Sequence, residues 1–60
     1  MIVRQAPDGL VVTEVFPSGE RSWKKFEDGS LASCPDHKGP WVSRRPDEIP
    51  VRVRPLLGLT

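Results

Sequence analysis

Short apolar runs alternate with turn-forming residues along the whole chain, and glycines recur at positions 9, 19, 29 and 39. Ile2-Val3-Arg4-Gln5-Ala6 and Leu10-Val11-Val12-Thr13-Glu14-Val15-Phe16 flank Asp8-Gly9. That dipeptide suits a two-residue hairpin turn because both residues tolerate a positive φ. Pro17-Ser18-Gly19-Glu20 predicts a second turn, since proline presets φ and glycine is free to take a positive one. It leads into Arg21-Ser22-Trp23-Lys24-Lys25-Phe26. Asp28-Gly29 predicts a third turn of the same kind as the first, returning the chain through Ser30-Leu31-Ala32-Ser33-Cys34.

The pattern then changes. Residues 35–40 combine two prolines with a glycine and predict an irregular loop, followed by a short strand at Trp41-Val42-Ser43-Arg44. In Arg45-Pro46-Asp47-Glu48-Ile49-Pro50, a proline backed by two acidic residues predicts a turn or a short 3₁₀ piece. Val51-Arg52-Val53-Arg54 alternates, which predicts a half-buried strand with both valines on one face and both arginines on the other. Leu56-Leu57-Gly58-Leu59-Thr60 is apolar and either packs back on the sheet or frays. No window of ten or more residues shows a helical period. Turn signals at 8–12-residue spacing predict one all-β domain over residues 1–60. The expected fold is a small antiparallel meander of five to six short strands, curled into an SH3-like or OB-like sheet or barrel.

Two-residue loops at 8–9, 18–19 and 28–29 would fix which side chains share a face. One face then gathers Ile2, Ala6, Val11, Val15, Phe26 and Leu31, with Arg4, Thr13, Ser22 and Lys24 among them, and is the expected core. The other gathers Val3, Val12, Phe16, Trp23, Ala32 and Cys34 with Glu14, Arg21 and Lys25, pairing Phe16 with Arg21 and Trp23 with Glu14. A three-residue loop at Pro17-Ser18-Gly19 would exchange residues between the faces.

Sixty residues bury only about 60% of the surface that the unfolded chain exposes, so the core is thin. One cysteine, Cys34, excludes an internal disulfide. Cysteine-poor composition and the lack of a basic leader or apolar h-region after Met1 point to a natively short protein of the cytoplasm. No apolar run approaches the roughly 20 residues that a membrane helix needs. The formal charge of +1 conceals an asymmetry: residues 1–37 sum to −2 and residues 38–60 to +3, with four of the five C-terminal cations being arginine. Arginine suits planar contacts with carboxylate or phosphate.

Catalytic chemistry has little to stand on. Cys34 and His37 are three residues apart, but nothing evident orients the histidine as a base. As half of a tetrahedral zinc site they would need two further ligands. Glu27-Asp28 and Asp47-Glu48 are adjacent pairs, and neighbours on a strand point to opposite faces. Each glycine is isolated, unlike a phosphate-cradling loop. The expectation is a non-enzyme without cofactor or metal.

Binding remains, and the informative feature is the interleaving of aromatic and basic side chains. Trp23 lies between Arg21 and Lys25 on one strand face, Trp41 precedes Arg44-Arg45, and Arg52 and Arg54 follow. In so small a core each tryptophan can be a packing anchor; exposed, it would be a hot-spot or stacking residue. Trp23, Lys25, Trp41, Arg44, Arg45, Arg52 and Arg54 are therefore the candidate binding residues. A protein partner is favoured because the summed charge is small for a polyanion binder. The alternative is nucleic acid held by Arg44, Arg45, Arg52 and Arg54 with a stacking tryptophan. Open strand edges also suit augmentation by a partner strand, although prolines 7, 40, 50 and 55 are placed to blunt them; self-association is compatible as well, since a thin core gains most from a second chain covering an apolar face.

Overall fold

The computed structural model describes residues 1–34 and 40–59. Five strands, β1 (Ile2–Ala6), β2 (Gly9–Phe16), β3 (Gly19–Phe26), β4 (Leu31–Cys34) and β5 (Val42–Arg44), form one antiparallel sheet in chain order. β1 and β5 remain as its two edges, so the sheet is open and not closed into a barrel. Two 3₁₀ turns follow, Pro46–Glu48 and Arg54–Leu57. The loop expected over 35–40 falls, apart from Pro40, outside the described residues. Among the described residues no helix is long and apolar enough to cross a membrane.

The first two turns fall one residue earlier than the glycine rhythm suggests. Ala6 pairs with Gly9 and Phe16 with Gly19, which leaves Pro7-Asp8 and Pro17-Ser18 as two-residue loops. Proline at the second turn position and glycine at the fourth are the residues such turns favour. Gly9 is needed for space: a Cβ there would stand 2.2 Å from the Lys25 carbonyl oxygen on β3. Cross-strand pairs therefore shift by two positions, to Val12 with Trp23 and Glu14 with Arg21, replacing the expected Trp23–Glu14 and Phe16–Arg21 pairs. A shift of two preserves the faces.

The third turn breaks the expected symmetry. Gly29 has φ +91°, yet among the described residues no non-glycine residue has a positive φ, so Asp28 cannot share a turn that needs two such residues. The loop instead holds Glu27, Asp28 and Gly29. It is closed by Phe26 N–H to the Ser30 carbonyl at 2.9 Å and Gly29 N–H to the Phe26 carbonyl at 3.0 Å. The Asp28 carboxylate accepts from Ser30 N–H at 2.9 Å and from the Ser30 hydroxyl at 2.6 Å. This hydroxyl contact, then the amide, holds the Asp28 carboxyl below its ordinary value.

One extra loop residue turns β4 over. Leu31 joins Lys25 and Leu10, while Ala32 and Cys34 join Lys24 and Ser22. The face expected to be secondary is consequently the core face, carrying Val12, Trp23 and Leu31, with Leu10 packed alongside.

The C-terminal segment covers that face. Ile49, Val53 and Leu57 stand four residues apart, and each is fully buried against Val12, Trp23 and Leu31. Each is worth about 1.5–3 kcal/mol of apolar burial. The expected Val51–Arg54 strand does not form: the Pro50 carbonyl accepts from both Val53 N–H at 2.9 Å and Arg54 N–H at 3.2 Å, coiling the chain. Val51 is left exposed while Val53 is buried. The 3₁₀ turn expected after Arg45 is present. The apolar tail packs back, with Leu59 against the core.

Pro7 lies in the β1–β2 turn, Pro50 between the two 3₁₀ pieces and Pro55 in the second of them, so these three blunt neither edge, while Pro40 precedes β5 by two residues without being part of it. β5 is short, only three residues. β1 has no such protection.

Candidate functional site

The candidate binding residues separate over several surfaces. Trp23 is a core residue, 3% exposed, anchored between Val12 and Ser33 on the neighbouring strands. Trp41 is 39% exposed and lies towards the opposite sheet face, with the Lys24 ammonium 5.5 Å from its ring. Lys25 is half-buried on the core face, its ammonium beside Gly58.

The arginines are mostly committed within the chain. Arg52 grips both carboxylate oxygens of Glu14, through Nε to Oε2 and through Nη2 to Oε1, the latter at 2.7 Å. Glu14 is buried, and this guanidinium holds its carboxyl below the ordinary value of 4.5. Arg54 donates to the Ile49 carbonyl at 2.9 Å and the Asp47 carbonyl at 3.4 Å, bracing the segment between the two 3₁₀ turns. Arg45 is largely exposed, with loose ion pairs to Asp47 at 3.8 Å and Glu48 at 3.7 Å.

Arg44 is different, because it closes one end of a cleft. Arg21, Trp23, Ser33, Arg44, Glu48 and Pro50 line a concavity of about 280 Å³ at the end of the core face that the C-terminal segment leaves open. Strand alternation explains the gathering: Arg21 lies two residues before Trp23, and Ser33 pairs with Trp23. Arg44 is diagonal to Ser33 across β4 and β5 and donates through Nε to the Ser33 hydroxyl at 2.8 Å. Its Nη1 donates to Glu48 Oε2 at 3.3 Å. Glu48 Oε1 accepts from the Arg45 N–H at 2.9 Å, and this amide, with the Arg44 side chain, holds the Glu48 carboxyl below its ordinary value.

The Arg21 side chain forms no hydrogen bond or close ion pair with any described residue, and its charge acts on Glu14 at longer range. Glu14 lies opposite it across the sheet, but both Glu14 oxygens are occupied by Arg52. With Arg21 and Arg44 against Glu48, the cleft has a formal charge of +1. Trp23, almost fully buried, contributes the aromatic part of its lining.

Two features lay beyond the candidate set. Arg21 belongs to the cleft, and its signal was the i, i+2 spacing to Trp23. Lys24 is nearly buried on the opposite face, with its ammonium 2.6 Å from Asp8 Oδ1 and 4.7 Å from the Phe26 ring centroid. This lysine holds the Asp8 carboxyl below its ordinary value. A lysine adjacent to another on a strand gave no hint of which would be buried.

Cys34 is buried and outside any disulfide; His37, the residue considered with it for catalysis or zinc binding, lies outside the described residues. No protein-family model, no curated protein and no solved structure matches the chain, so its own residues carry the functional argument.

Proposed function

We propose that the chain is a small non-catalytic protein-binding module, and that the cleft between β3, β5 and the first 3₁₀ turn receives an acidic side chain of its partner. The observation that carries this reading is the guanidinium of Arg21, which is hydrogen-bonded to no described residue and lines the cleft together with Arg44 and Trp23. A single carboxylate would balance the +1 charge of the cleft, and a volume of about 280 Å³ suits one side chain better than a whole small-molecule ligand. Ser33 and Glu48 hold Arg44 in place before any partner arrives, which lowers the ordering cost of binding. Tryptophan and arginine are the residue types most often dominant in protein interfaces. The reading needs no barrel closure, and a cytoplasmic setting accords with a chain whose single cysteine forms no internal disulfide.

The nucleic-acid alternative has less support. A phosphate-tracking surface uses several uncommitted cations, whereas Arg52 and Arg54 are bonded to Glu14 and to main-chain carbonyls.

Nuclear magnetic resonance titration separates the two. An acetylated, amidated peptide containing one central glutamate in an apolar context is expected to shift the Arg21, Trp23, Ser33 and Arg44 signals saturably. The glutamine version of the peptide and the Arg21→Gln protein are each expected to abolish the response. Equal response to both peptides would overturn the acidic-side-chain assignment. Tighter binding of an oligothymidylate, falling steeply with salt, would transfer the function to nucleic acid.

A further inference from the structure

The sheet edge farthest from the cleft is β1, and it is open in every direction that a strand can be. Ile2 is 57% exposed on one face and Val3 46% exposed on the other, with Met1, Val15 and Phe16 exposed nearby. β2 runs three residues past the last β1 pair, Ile2 with Thr13, so the apolar surface continues onto Val15 and Phe16. Edge strands are ordinarily protected by proline, a bulge, short length or inward charge. β1 holds no proline and no acidic residue, and its single charge is Arg4.

The backbone phase of this edge is fixed. Pairing starts at Ala6 with Gly9 directly after the two-residue turn, so Ala6, Arg4 and Ile2 bond inward to β2. Val3 and Gln5 therefore point their N–H and C=O groups away from the sheet.

We propose that β1 pairs antiparallel with β1 of a second copy of this chain, about a two-fold axis through Val3. This register places Val3 opposite the partner's Val3, Ile2 opposite the partner's Arg4, and Met1 opposite the partner's Gln5. Outward main-chain groups then meet outward main-chain groups. A two-fold through Arg4 would instead set two guanidinium groups directly opposite each other, which is destabilising. A two-fold through Ile2 would engage only three residues of each chain.

Side-chain continuity also favours a second copy. Val3 is the cross-strand neighbour of Val12, which is fully buried in the core beside Trp23. Across the axis the row Trp23, Val12, Val3 continues in reverse order through the second chain, extending one apolar ladder over a ten-stranded sheet. A thin core gains stability from such a partner by mass action.

A standard interface removes about 800 Å² per partner, roughly a fifth of this chain's 4085 Å² surface. One strand edge covers less than that, so the dimer is weak and concentration-dependent. It uses the opposite edge from the cleft and does not rest on the acidic-partner reading.

Sedimentation velocity across a dilution series tests the pairing. The native chain is expected to move from monomer to dimer as concentration rises. Val3→Lys and Val3→Glu, at a half-exposed site, are each expected to stay monomeric with unchanged far-ultraviolet circular dichroism. Their equimolar mixture is expected to restore the dimer, because only this register sets residue 3 against residue 3. The proposal is overturned if the native chain remains monomeric at about 1 mM. It is equally overturned if folded variants dimerise as the native chain does, or if the mixture stays monomeric. Should either variant fail to fold, amide exchange of the native chain decides: Val3 and Gln5 are expected to slow with concentration, and exchange independent of concentration would refute the pairing.

Discussion

Residues 2–34 and residues 46–59 contribute to the same core by different routes. In the first region, strands are joined by turns of two or three residues, so each side chain meets partners a few to about twenty positions away. In the second region no strand forms, and position is set by distant contacts such as Arg52 on Glu14, 38 residues earlier. Local pairing lets the meander assemble quickly, but it leaves Val12, Trp23 and Leu31 on an uncovered face. Ile49, Val53 and Leu57 complete that face. The meander supplies the frame, and the segment makes it a core. The cleft lies where this cover ends.

The strongest way to break the comparison is to remove a covering side chain. Leu57→Ala is expected to cost about 2–5 kcal/mol, against an expected total of only about 3–9 kcal/mol for a chain of this length. Leu56→Ala, at a neighbouring 39% exposed position, is expected to cost well under half as much. Urea denaturation of the two variants checks the contrast, and equal losses would mean that the segment does not complete the core.

A smaller effect is expected within the meander. Gly29→Val forces a β-branched residue to φ +91° and is expected to cost about 1–3 kcal/mol. Thermal unfolding should register this as a drop of about 4–8 °C per kcal/mol. Gly29→Asn, which tolerates the left-handed region, should recover most of the loss. No loss with valine would show that the three-residue loop does not set the β4 face.

The smallest expected effect concerns the clip between the regions. The Glu14 carboxyl titrates below its ordinary 4.5 because Arg52 bonds it. Its contribution is therefore full above about that pH in the unfolded chain and is lost as pH falls through the lower folded-state value. Glu14→Gln should make unfolding less acid-dependent below pH 4.5 while lowering stability at neutral pH. Asp8, Asp28 and Glu48 shift in the same direction, so part of the acid dependence should persist. A variant with native acid dependence would show that the ion pair does not couple segment to sheet.

Much of the meander was legible in the residues. The four N-terminal strands, the short strand near Val42 and the 3₁₀ turn after Arg45 lie close to their expected places. Loop length at Asp28-Gly29 was not legible, because the same dipeptide serves two-residue and three-residue turns, and their difference reverses the faces. Val51-Arg52-Val53-Arg54 misled for a related reason. Its alternation fits a strand, while the four-residue spacing of Ile49, Val53 and Leu57 across two prolines fits a coiled segment. Within the candidate site, the spacing of Arg21 and Trp23 was readable. The bonds that occupy Arg52 and Arg54 were not, since their partners lie on other elements or on the main chain.

By itself, then, the sequence determined an antiparallel meander, its approximate strand limits and the neighbourhood of Arg21 with Trp23, because these follow from alternation and short-range turn chemistry. Tertiary structure alone decided which face became the core, which arginines stayed available and where the cleft opened. Those outcomes depend on one loop residue's conformation and on contacts across tens of positions, and neither is encoded in a local pattern.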